Sequence, residues 1–184
     1  MKANLPSNET ERLSALASYH VLDSAPEQAF DDLASLAAQI CGCPIALVTL
    51  VDGQRQWFKA RVGLEVAETP REQAFCAHAI VHPEQLMIVP DALRDARFAD
   101  NPLVTDDPRI RFYAGAPLLT GQGLALGTLC VIDRTPRQLA PHQLGALRIL
   151  GRQVSYLLEL RRVTGELASA LSNAPGMNGA NATR

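Results

Sequence analysis

The chain has 184 residues, and 17 Lys and Arg against 19 Asp and Glu give a formal net charge of −2. Hydrophobic residues at 47% and charged residues at 20% are those of a globular protein and exclude wholesale disorder. The near-neutral balance excludes a protein that coats nucleic acid or clings to an anionic membrane surface.

The longest apolar runs, such as PIALVTLV at 44–51, are strand-sized and too short to span a bilayer as a helix. Four cysteines, Cys41, Cys43, Cys76 and Cys130, are too few and scattered for a disulfide scaffold. The opening MKANLPSNETER has no apolar stretch of the secretory kind, so a reduced, cytoplasmic chain is expected.

Residues 11–19 predict a short amphipathic helix with Leu13, Leu16 and Ala17 on one side. Ser24 followed by Glu27 reads as a capping box with Pro26 in the first turn. Phe30, Leu33, Leu36, Ala37 and Ile40 then recur at helical spacing until Gly42 and Pro44 end the helix. The period changes at 45–51, an aliphatic strand joined through Asp52-Gly53 to an alternating partner at 55–62. A polar loop is expected over 63–71, then a short mixed segment at 74–82 and a small strand at 86–89.

Residues 91–108 form a long polar excursion anchored by Phe98 and Leu103, the kind of loop that is usually functional or mobile. A hairpin follows, 111–119 and 124–133, in which Pro117 requires an edge or a bulge because it offers no ladder donor. The last helix starts near Pro141 and carries an apolar stripe of Leu144, Leu147, Leu150, Val154, Leu157 and Leu158. Extended to residue 172 it would be roughly 48 Å long at ~1.5 Å per residue, more than the sheet needs for cover. The surplus length points to pairing with a second copy or to a frayed end. The fold class expected is α+β: a central antiparallel sheet of five or six strands with helices packed around it. The expected divisions are a flexible arm over 1–9, a domain over 10–162, and a helix extension with a disordered tail over 163–184.

Cys76 and His78 form the first chemical constellation. Cys76 reads either as a small buried hydrophobe or as a thiol activated at a helix N-terminus, with His78 as its base. Neither Cys41-Gly42-Cys43 nor Cys76-Ala77-His78 has zinc-ligand spacing, and no metal site is expected. No G-x-S-x-G elbow, P-loop or dinucleotide fingerprint is present. The polar set around the long loop, including Asp91, Arg97 and Arg111, reads either as an internal ion-pair lattice or as anion contacts of a pocket walled by Trp57, Phe58, Phe75, Phe112 and Tyr113. Strand alternation places Phe112 and Tyr113 on opposite faces, so only one can line a given cavity.

The strings LVDGQRQWFKARVGLEVAETPREQAFCAHAI, VPDALRDARFADNPLV and IRFYAGAPLLTGQGLALGTLCVIDR resemble the GAF domains of bacterial sensory proteins, with similarity over residues 10–162. The resemblance implies a small-molecule or signal-sensing, non-catalytic module, often a homodimer through its terminal helices, serving a downstream kinase or cyclase output domain. Its cofactor is not specified. The Asn-Lys-x-x-Phe signature of cyclic-nucleotide-binding relatives is missing, and Ala77 separates Cys76 from His78 where bilin-binding relatives have Cys and His adjacent. Cys76 resembles a cysteine of the branch that reduces free methionine sulfoxide, but 91–110 lacks that branch's partner cysteine.

The expected ligand site comprises Trp57, Phe75, Cys76, His78, Asp91, Arg97, Arg111 and Tyr113, beneath residues 91–113. Two alternatives stand beside it: a thiol-dependent reductase using Cys76 with Cys130 as resolving thiol, and a dimerisation scaffold with a filled core.

Overall fold

The structure, a computed structural model, describes residues 2–173. Eleven regular elements follow in order: α1 (Glu9–Ser18), α2 (Gln28–Cys41), β1 (Ile45–Val51), β2 (Arg55–Val62), β3 (Glu68–Pro70), α3 (Phe75–Ala79), β4 (Met87–Val89), α4 (Pro102–Thr105), β5 (Phe112–Leu119), β6 (Ala125–Asp133) and α5 (Pro141–Asn173). The strands make one antiparallel sheet in the order β3-β2-β1-β6-β5-β4, and helices cover both faces.

Strand alternation divides the interior into two cores. Ala46, Val48 and Leu50 of β1, with Phe112, Ala114 and Ala116 of β5, pack beneath α1, α2 and α5. Ile45, Leu47 and Val51, with Tyr113, Cys130 and Ile132, face α3 and the excursion between β4 and β5. The central strand β1 is buried along its whole length, which explains its continuous aliphatic sequence. Pro117 lies beyond the last residue that β4 pairs, Gly115, so its missing N–H costs no ladder bond to β4. The structure adds β3, a three-residue edge strand within the expected polar loop.

One helix face and one helix start differ from the sequence reading. α1 buries Arg12 beside Leu16, whereas Leu13 is only half-buried and Ala17 is exposed. α2 begins at Gln28, leaving Pro26 outside the helix, and its N-cap Glu27 makes no capping bond. The Glu27 carboxylate instead accepts from buried Lys59 Nζ at 2.6 Å and from Arg161 Nε at 2.8 Å, while Ser24 accepts from Lys59 at 2.8 Å. A buried ammonium requires a counter-charge more than a helix terminus requires a cap. At the other end Gly42 adopts the left-handed conformation (φ 62°) that closes α2.

α5 has 33 residues. Leu147, Leu150, Gly151, Val154 and Leu158 press on the sheet, and beyond Arg162 every described residue of the helix is exposed. The tail expected over 174–184 lies outside the described residues. At the N-terminal end Pro6 is buried and Ala3 packs against the core on the α3 side.

Candidate functional site

A cavity of about 410 Å³ opens between the sheet and the covering segments on the α3 side. Phe58, Tyr113 and Cys130 form part of its floor, α3 contributes Phe75 and Cys76, and residues 63–66 and 103–110 supply flanking walls. That volume lies within the range of small-ligand pockets, roughly 300–1,000 Å³. Phe75 stacks on Phe98 with ring centres 4.0 Å apart and on Tyr113 at 5.3 Å, which fixes α3 over the sheet.

Deep in this space lies a cluster of hydroxyls and thiols. Cys76 Sγ accepts hydrogen bonds from Thr128 Oγ1 at 3.0 Å and Tyr113 Oη at 3.3 Å, and stands 4.0 Å from Cys130 Sγ. The Thr49 hydroxyl joins the group, 3.2 Å from that of Thr128 across the β1–β6 ladder. Burial opposes a charge on Cys76, but hydrogen bonds from Cys130, Thr128, Thr49 and Tyr113 outweigh it and lower the thiol pKa to about 7. Burial, then the neighbouring Cys76, pushes Cys130 and Tyr113 up. Cys76 is the second residue of a five-residue helix, so side-chain donors dominate over a helix dipole in activating it.

The Tyr113 ring reaches Cys76 because it leans along β5 over Gly115. A Cβ at position 115 would fall 2.2 Å from the Tyr113 oxygen. Gly115→Ala is expected to displace that ring and destabilise the fold by about 1–3 kcal/mol, a fall in Tm of roughly 2–4 °C per kcal/mol at this size. Thermal unfolding and the ultraviolet titration of Cys76, which should move up as its Tyr113 donor is lost, check this.

Of the residues expected at the site, Phe75, Cys76 and Tyr113 line the cavity together, and Cys130 joins them. The others lie elsewhere. Trp57 points into the opposite core beneath the helices, because its neighbour Phe58 takes the cavity-facing position. His78 stands edge-on to Phe98, ring centres 4.7 Å apart, outside the lining. Asp91 and Arg111 make a bidentate pair at 2.8 and 2.9 Å, which holds Asp91 below the usual carboxylate range, and both border a separate open groove. Arg97 pairs with Asp95 at 2.6 Å and lies over the Phe98 ring.

Gln56 is not among the residues expected at the site. It lines the cavity, and its Oε1 is buried with no hydrogen-bond partner, unlike any other side-chain oxygen or nitrogen among the described residues. Its Nε2 donates to Thr69 Oγ1 at 3.4 Å. Whichever way the amide is turned, Thr69 satisfies one end and the other is left over. Such an atom costs about 1–3 kcal/mol unless something else reaches it. Two positions before Phe58 on β2, Gln56 shares its face by strand periodicity, a signal the sequence did contain.

The sequence profile of the GAF domain matches residues 25–158, spanning the whole sheet and the sheet-packed part of α5. The chain belongs to the GAF domain family. This GAF domain is 42% identical over 160 residues to a cyclic di-GMP phosphodiesterase of Pseudomonas aeruginosa. The aligned region covers 86% of the chain but 27% of that enzyme.

Solved structures with the same fold include the blue-light-absorbing form of the PixJ GAF domain of Thermosynechococcus elongatus, with a TM-score of 0.64 and 15% identity over 94% of this chain and 100% of that one. A GAF domain from a phosphoenolpyruvate-protein phosphotransferase of Coxiella burnetii also reaches 0.64, with 14% identity over 86% of this chain and 97% of that one. The type II free methionine-R-sulfoxide reductase of Thermoplasma acidophilum gives 0.59 at 10% identity over 71% of this chain and 90% of that one. At these identities the likeness is one of fold. No helix among the described residues is long and apolar enough to cross a membrane.

Proposed function

We propose that this GAF domain is the non-catalytic sensory module of a bacterial signalling protein, binding a small molecule in the cavity beneath α3 and passing the event to α5 in a homodimer. The unpartnered oxygen of Gln56, a residue that lines a mostly apolar cavity, carries the reading. It favours a ligand with an apolar body and one hydrogen-bonding group that meets the amide end Thr69 leaves over. The relative in Pseudomonas aeruginosa supports an output that turns over a cyclic dinucleotide; a kinase or cyclase output would be served by the same geometry.

Gln56→Leu tests the reading. The substitution keeps the bulk and removes the orphaned amide end, so the ligand-free protein should melt at the same temperature or higher. Thermal shifts produced in the parent by hits from a screen of nucleobases, nucleotides and amino acids should be lost. A screen without hits, or hits indifferent to Gln56→Leu, would overturn it.

The 4.0 Å approach of Cys76 to Cys130 favours a second reading, a thiol-dependent reductase of the free methionine sulfoxide type. It requires sulfoxide-dependent consumption of a thiol reductant that Cys76→Ser abolishes. The cavity counts against a scaffold with a filled core.

A further inference from the structure

We infer that Cys76 and Cys130 form a reversible dithiol–disulfide switch set by hydroperoxides that enter the cavity. This rests on the reading of the cavity as the sensing site and names one signal it would register.

Both cysteines lie among the residues lining the same cavity, Cys76 1% exposed and Cys130 fully buried behind it, so an oxidant that enters the cavity is offered Cys76 first. Their separation of 4.0 Å must close to about 2.05 Å for a bond. Cys76 is held on a single turn of helix and Cys130 in the middle of β6, so α3 rather than the strand is the element that must yield. The two thiols are also inequivalent. Thr128 and Tyr113 donate to Cys76, which favours its thiolate, while burial and the neighbouring Cys76 keep Cys130 protonated. One sulfur is therefore prepared to attack and the other to resolve. Cys41 and Cys43, in the other core, have thiols pushed up by burial and serve as internal controls.

In the first step the Cys76 thiolate attacks the outer oxygen of the hydroperoxide. The S–O bond forms as the O–O bond breaks, and the leaving alkoxide takes up the proton that Cys76 had released. The product is Cys76 sulfenic acid. In the second, Cys130 sulfur attacks the Cys76 sulfur, the S–S bond forms, and the S–O bond breaks. Hydroxide departs with the Cys130 proton as water. Two thiols are oxidised by two electrons, and one hydroperoxide is reduced to an alcohol and water. A disulfide removes the Sγ acceptor from Tyr113 and Thr128 and draws α3 toward the sheet. It thereby changes the space next to Gln56.

The purified reduced protein is treated with about ten equivalents of tert-butyl hydroperoxide and analysed by intact mass and non-reducing peptide mapping. The expected result is a loss of about 2 Da, a single Cys76–Cys130 cross-link, and full recovery with dithiothreitol. Cys130→Ala should stop at a dimedone-reactive sulfenic acid on Cys76, whereas Cys76→Ala should leave the other thiols intact. The oxidation rate should rise roughly tenfold per pH unit in the acid range and level off above neutrality as the thiolate fraction saturates. Four intact thiols, a cross-link through Cys41 or Cys43, or a Cys76 sulfenic acid that persists in the unsubstituted protein would each overturn the switch. Thermal-shift binding by the fully reduced protein is measured in parallel, so the switch can fail while the ligand reading stands, and the reverse.

Discussion

Glu9→Ala is expected to cost about 3–5 kcal/mol, a fall in Tm of roughly 10 °C, although Glu9 lies at the outer end of the chain's first helix. Its carboxylate accepts from Arg12 Nε at 2.8 Å and from a second Arg12 nitrogen at 2.9 Å, and from Arg71 at 2.5 Å. Arg12 is fully buried, and its remaining donor reaches the carbonyls of Val51 at 2.7 Å and Ala125 at 3.4 Å. Arg71 closes the network on the carbonyl of Asp52 at 2.8 Å. One carboxylate therefore holds α1, the β1–β2 turn, the start of β6 and the segment before α3. Removing it strands a cation that water cannot reach, and that is the expensive way to break a buried pair. Arg12→Met removes the buried charge itself and should cost less, although two carbonyls lose a donor. If chemical denaturation ranks Arg12→Met as the worse variant, the stranded-charge account is wrong.

The same carboxylate predicts a pH dependence. Burial would raise its pKa, but Arg12 and Arg71 outweigh burial and lower it from 4.5 to about 2. A depressed carboxylate contributes stability that is complete above its unfolded value and lost as pH falls through the folded one. The loss from Glu9 therefore runs from about pH 4.5 down to about pH 2. Its amplitude is at most about 3 kcal/mol, reduced to about 1–2 kcal/mol by solvent screening at a partly open carboxylate. Denaturation curves of Glu9→Ala should be flatter than those of the parent over that window.

Why was Arg12 invisible in the sequence when the strands were plain? Period-two alternation at 55–62 and unbroken aliphatics at 45–51 mark strands, and β1 and β2 lie at those residues, although β2 is buried on both faces from Gln56 to Ala60. A buried arginine leaves no such trace. It sits where a polar helix face is expected, and only the three-dimensional meeting of α1 with two strand ends shows that its charge is used inside. The Ser24–Glu27 pattern failed for a related reason. Capping is local, and the stronger demand on Glu27 comes from Lys59, 32 positions away in the chain.

At the site, Cys76 was singled out by its chemistry, and alternation separated Phe112 from Tyr113. The same rule separates Trp57 from Phe58, and the structure sends Trp57 to the helix side. Thr49 and Thr128 could not be distinguished from threonines chosen for strand propensity. Their role depends on facing each other across β1 and β6, a register that neither strand encodes by itself. Asp91, Arg97 and Arg111 are engaged in ion pairs outside the cavity lining, the lattice that mixed charges in a long loop suggest.

Leu160→Glu combined with Leu167→Glu is expected to leave the fold intact and to dissolve the proposed homodimer. Leu158 is the last residue of α5 buried against its own sheet, yet the helix runs on to Asn173. Along its outer side Ile149, Tyr156, Leu160, Val163, Leu167 and Leu171 are each 46–69% exposed. The first five repeat at intervals of seven, four, three and four residues, alternating d and a positions of a heptad with Gln153 at the intervening a position. This stripe is distinct from Leu147, Leu150, Val154 and Leu158, which are committed to the sheet. A helix with two apolar faces has one too many for a monomer.

Burying a leucine contributes about 1.5–3 kcal/mol, and the double variant removes four leucines from a symmetric pair. The dimer dissociation constant should therefore rise at least about 1,000-fold. Sedimentation velocity reads that change, while an unaltered melting curve at low protein concentration shows that the domain itself is untouched. A parent protein that sediments as a monomer at ~100 μM, far above the constant expected for such an interface, would remove the homodimer. In the paired state, Val154 and Leu158 rest on the sheet within about three helical turns of Leu160 and Val163 in the seam. The cavity floor reaches the same helix through β5, where Ala116 meets Gly151 one residue after the glycine that seats Tyr113. A shift of Tyr113 that moves β5 would therefore act on α5 at Gly151, between Ile149 and Tyr156 of its outer stripe.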